Sequence, residues 1–160
     1  MKSSRIALVS LFALASASAF AAPKVGDSAT LDGTLVGQGI NAKVTTSQTV
    51  TAFNANSGVY TVHQVQTIAG QSQAKDVNVA ADDMMSEETA ALIVQFCESQ
   101  SLGKKERVTV AAGTFDTCRV PGNAGSTIWV APVPFGMVKL SSPLSIGTVD
   151  LGMTSFTRGQ

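Results

Sequence analysis

The chain has 160 residues, 14% of them charged, with 11 basic and 11 acidic side chains and two cysteines. It has no Lys/Arg run and no basic stripe interleaved with aromatics, so neither nucleic acid nor an anionic lipid head group is expected as a partner. The length suits one domain with its own core.

The first stretch, MKSSRIALVSLFALASASAFAA, has the three-part layout of a cleaved export signal. Lys2 and Arg5 precede an apolar run, and small residues lead to Ala19-Phe20-Ala21. Cutting after Ala21 is expected, because Pro23 would hinder cutting after Ala22. The run is shorter than the roughly 20 residues a spanning helix needs, and none of that length follows, so the protein is not expected to span a membrane. No cysteine precedes Cys97, which leaves no thiol for lipid attachment at the processing site. Losing Lys2 and Arg5 leaves 9 basic against 11 acidic residues, a formal charge of −2. The expected location is the periplasm or the extracellular space, and residues 22–160 form the expected single domain.

In chain order, Ala29 to Val36 reads as a weak strand ending at Gly37-Gln38-Gly39. Val44 to Phe53 and Val59 to Ile68 are rich in Thr, Val and aromatics, and the break at 54–58 makes them a hairpin. Ala74 to Val79 adds a short strand. Ser86 to Gln100 changes period: Ala90, Ile93, Val94 and Cys97 recur at helical spacing, Ser86 caps the start, and Glu87 and Glu88 complement the dipole. Gly103 with Lys104 and Lys105 closes the other end. Strands resume at Arg107 to Ala111, Thr114 to Val120, Thr127 to Val133, Met137 to Leu140 and Leu144 to Phe156, the last two separated at Ser142-Pro143. Connections this short force antiparallel pairing. The layout predicts an α+β fold: a curved antiparallel sheet packed on one helix.

Cys97 and Cys118 are expected to form one disulfide, because an isolated pair in an oxidising compartment does so most often. It would staple the helix to a strand. Their spacing is far from Cys-x-x-Cys and His63, the sole imidazole, is distant in sequence, which argues against a redox or metal pair.

The segments Cys97-Glu98, VTVAAGTFDTCRV (108–120) and IWVAPVPFGMVKL (128–140) resemble a group of exported bacterial proteins without an assigned activity. Those proteins look like relatives of the periplasmic half-barrels typified by the outer-membrane lipoprotein carrier. Ala111 stands where that group commonly has Pro. The resemblance implies a half-open sheet around an apolar groove.

No catalytic or cofactor signature is present. His63 lies on a strand, on the face of Val59, Thr61 and Val65, without a nucleophile elbow, and reads as structural or surface. Asp82, Asp83, Glu87 and Glu88 lack calcium-loop spacing and read as a solvated helix entrance. Met84 and Met85 have no nearby His or Cys and read as gap fillers. There is no phosphate cradle or dinucleotide fingerprint, and Gly113 and Gly136 read as turn glycines with positive φ. Phe115, Trp129, Phe135, Met137 and Val138 form the main apolar group, with two readings: core, or the lining of a concave groove. Three functional classes follow: a non-enzymatic protein binding a lipid, another apolar ligand or a client segment; an interaction module binding an envelope protein; and an enzyme of unrecognised type. The oligomeric state is not encoded in any motif.

Overall fold

The computed structural model describes residues 23–160, so the expected signal segment lies outside the described residues. Nine strands form one open antiparallel sheet in the order β4-β3-β2-β1-β9-β8-β7-β6-β5. They are β1 Ser28–Gly37, β2 Ile40–Asn54, β3 Val59–Ile68, β4 Gln71–Ala80, β5 Lys104–Val110, β6 Gly113–Pro121, β7 Thr127–Val130, β8 Met137–Leu144 and β9 Gly147–Thr157. Among the described residues one α-helix, α1 Glu87–Phe96, lies between β4 and β5, the two edges of the sheet. The α+β architecture read from the sequence is the one observed.

The sheet bends strongly. The turn after β5 folds back so that the Ala112 N–H donates to Met153 O on β9, and Val110 lies over Gly152, where an added Cβ would come within 3.2 Å of its Cγ1. Between these layers sits the larger core, with Leu31, Ala131, Val133, Val138 and Met153 all at or below 2% exposure. A smaller cluster of Val50, Tyr60 and Val62 lies under Met84, and Phe135 touches both clusters.

The helix is shorter than its period suggested. Ser86 caps it, accepting the Thr89 N–H at 3.1 Å, and it ends at Phe96 rather than near Gln100. Cys97 is bonded to Cys118 on β6 with Cα atoms 5.6 Å apart. Gly103 is pressed against β6, where a Cβ would lie 2.1 Å from Arg119 O. Both contacts turn the chain into an edge strand, so Lys104 and Lys105 begin β5 rather than close the helix. α1 packs against β6, β7 and the turn Pro134–Gly136, and Ala90 is its fully buried side chain.

The expected break at Ser142-Pro143 lies inside β8, and the turn comes two residues later, with Leu144 opposite Gly147. Alternation from that closing pair points the Pro143 nitrogen away from β9. On that side β7 has already ended, since Thr127, its first residue, lies opposite Ser141. The missing donor therefore costs no ladder hydrogen bond.

Two other contacts fix the ends. Asp27, 7% exposed, accepts the N–H of Lys24 at 2.8 Å and that of Gly159 at 2.8 Å, joining the two ends of the described chain. Arg158 Nε donates to both oxygens of Glu87 at 2.9 Å, tying the last residues to the helix start.

Candidate functional site

The concave face of the sheet carries an open groove. Its larger part encloses about 550 Å³ and a smaller part about 270 Å³; Gln48, Gln64 and Met137 line both, so the two parts adjoin along one groove. The combined size lies within the range of small-molecule sites.

Strand register explains the make-up of the larger part. One wall is aliphatic, formed by Leu35, Leu140, Val149 and Leu151 from β1, β8 and β9. The other is a block of polar side chains on three neighbouring strands. Thr46, Gln66 and Gln73 lie opposite one another on β2, β3 and β4, and Gln48, Gln64 and Lys75 form the adjacent row. Apolar rows flank the block: Val44 opposite Ile68 on one side, and Val50, Val62 and Val77 on the other. Ile68 and Leu144, 38% and 50% exposed, stand at the groove's outer rim.

The smaller part is lined by Val62, Val79, Met84, Met85, Ile128, Val130 and Phe135, with Asp83 its charged member. The turn that shapes it holds two residues with positive φ, Phe135 at 62° and Gly136 at 69°. Met84 and Met85 are half-buried here, which agrees with their reading as gap fillers.

The five apolar residues singled out from the sequence do not form one site. Met137 lines both parts of the groove and Phe135 the smaller one. Val138 is fully buried in the larger core. Trp129 is 8% exposed, and its register with Arg119 and Lys139 puts it on the face opposite Ile128 and Leu140. There its indole N–H donates to Glu106 Oε1, and the Lys139 ammonium sits 4.6 Å above its ring. Phe115 packs edge-on against Phe156 at 6.3 Å.

His63 has a carboxylate partner that sequence reading missed. Its Nδ1 lies 2.7 Å from Asp76 Oδ1 across β3 and β4, on the outer face, and both side chains are well exposed. The two-residue turn at 69–70 sets that register, so counting outward from it finds Asp76 opposite His63. Thr49 is the His63 partner on β2, but the row faces solvent with no recess around it among the recesses described. Cys97 and Cys118 are each fully buried, and their disulfide is structural. Among the described residues no group of three or more His, Cys, Asp or Glu is placed to hold a metal, and no helix is long and apolar enough to cross a membrane. The fold and groove define a class: a disulfide-pinned open antiparallel sheet with a half-polar channel on its concave face.

Comparison with models of known families and with curated proteins finds no match.

Proposed function

We propose that this is an exported, non-enzymatic protein of the periplasm or the extracellular space that holds an apolar ligand, such as a lipid, or an apolar client segment in its concave groove. The carrying observation is the adjoining of two open recesses, one along the aliphatic wall of Leu140 and Leu151 and one at the methionine-lined end of Met84 and Met85, across Gln48, Gln64 and Met137. A sheet face that merely closed a core would be filled there by the protein's own side chains. The buried disulfide agrees with an oxidising compartment. The open, curved sheet agrees with a relationship to the exported half-barrel proteins that residues 97–140 resemble. The His63–Asp76 pair lies on the face away from the groove, which supports a binding rather than a catalytic role.

Mass spectrometry of organic extracts from protein purified out of the exported fraction tests the reading. A co-purifying apolar molecule, displaced by a fluorescent fatty-acid probe, is expected. A clean extract together with no probe binding would overturn it.

A second reading, an envelope interaction module, is favoured by β4 alone: it bonds to β3 on one side only, and its side chains are mostly exposed. Such an edge can accept a partner strand. Alternation from the Ile68–Gln71 pair directs the Ala74 N–H outward. Ala74→Pro would therefore abolish capture of a strand partner.

A further inference from the structure

We propose that the groove's ligand is a single-chain amphiphile with a carboxylate head, its chain in the methionine-lined end and its head at Lys75 and the glutamine block. This rests on the groove being a binding site.

The channel is graded in polarity. The smaller end, about 270 Å³, is the narrower part of the channel and suits a hydrocarbon chain. Met84 and Met85 line it, and unbranched thioether side chains adapt to a flexible chain better than branched ones do. Gln48 and Gln64, shared by both parts, mark where the lining turns polar. Beyond them lies Lys75, directly opposite Gln64 and lining the larger part.

The overall charge balance gives no expectation of an anionic head group, but the sign of the head follows from the charge inside the groove. Among the described residues Lys75 is the sole charged side chain lining the larger part, and it forms no ion pair. Its sequence neighbour Asp76 points to the other face and is engaged by His63. A carboxylate here would meet an ammonium together with amide N–H donors of Gln64 and Gln73, all charge-assisted bonds. An amine head would meet like charge at Lys75, and the channel's carboxylate, Asp83, stands at the methionine-lined end that takes the chain. An uncharged block built only for solubility would need neither the lone cation nor the apolar rows on both flanks.

Calorimetric titration of the oxidised protein with dodecanoic acid, dodecanol, dodecylamine and an apolar hexapeptide tests this. The acid is expected to bind tightest and the amine weakest, with the acid's affinity falling as salt rises. Lys75→Met should weaken the acid by roughly fivefold, as for a partly exposed ion pair, and the alcohol by clearly less. Met84→Gln should weaken acid and alcohol alike, with thermal unfolding checking that both variants remain folded. Equal binding of acid and alcohol, or an acid affinity indifferent to Lys75→Met, overturns the head assignment while the groove reading stands. Tighter binding of the peptide than of the acid overturns the ligand class. Binding of none of the four overturns the groove reading itself.

Discussion

Gly136 and Met85 meet so closely that a Cβ on the glycine would lie 2.1 Å from the methionine sulfur. The contact couples the turn between β7 and β8 to the segment entering α1, and both residues line the smaller end of the groove. Gly136 also has φ +69°, a conformation side chains rarely adopt. The same contact therefore closes the core beneath and shapes the channel above.

Gly136→Ala should cost about 1–3 kcal/mol in denaturant unfolding, from backbone strain and the displaced thioether together. Met85→Ala in the same chain should recover part of the loss, because it empties the space the new methyl needs. Strictly additive losses in the two single variants would show that the contact does not operate.

The Cys97–Cys118 disulfide closes a loop with a sequence separation of 21. Loop closure of that length stabilises a fold by roughly 3 kcal/mol in the chain-entropy model. Cys97→Ser and Cys118→Ser should lower the unfolding midpoint by similar amounts, and reductant should do so in the parent. In either variant reductant should have no further effect. A parent midpoint indifferent to reductant would remove the bond's stabilising role.

The strands, the helix start and the disulfide were readable because each rests on local chemistry: β-branched runs, a Ser86 cap, and an isolated pair of cysteines. The groove was not, because both faces of β3 are mixed. Val62, Gln64 and Gln66 line the groove while His63 and Val59 share the outer face, so alternation alone marks neither face as interior. The placing of Trp129 was lost for a related reason. The irregularity between Trp129 and Val130 shifts β7 against β8, and no sequence signal marks it. Pro143 misled because a proline inside a strand is silent once the neighbouring strand has ended.

Tyr60, the sole tyrosine, is buried beside Phe53, with ring centroids 4.4 Å apart. Burial first, and the nearby Asp27 carboxylate second, hold its phenol above the ordinary value of 10.0. A folded-state value above the unfolded one means that the contribution is fully present below about pH 10 and is lost as pH rises through the folded value. Unfolding free energy should therefore fall above that pH, while phenolate absorbance appears later in the folded protein than in denaturant. Asp27→Asn should move the phenol's titration back toward its ordinary value. It should also cost about 1–3 kcal/mol at neutral pH, since one of the two backbone N–H groups bound by Asp27 loses its acceptor. An unmoved titration would show that Asp27 does not act on Tyr60.

Trp129 and Leu140 lie on adjacent strands, but the first is locked into the layer beneath β5 and β6 and the second opens on the channel. Their variants should therefore separate stability from binding. Trp129→Phe removes the indole donor to Glu106 and weakens the cation–π contact with Lys139, a loss of about 1–3 kcal/mol in unfolding. Its affinity for a fatty-acid probe should stay within about twofold of the parent, because no groove contact is touched. Leu140→Gln, at a half-buried groove position, should leave the unfolding midpoint less affected and weaken the probe by about tenfold, the equivalent of the aliphatic contact removed. Probe affinity lost with Trp129→Phe and kept with Leu140→Gln would place the binding surface on the other face of the sheet.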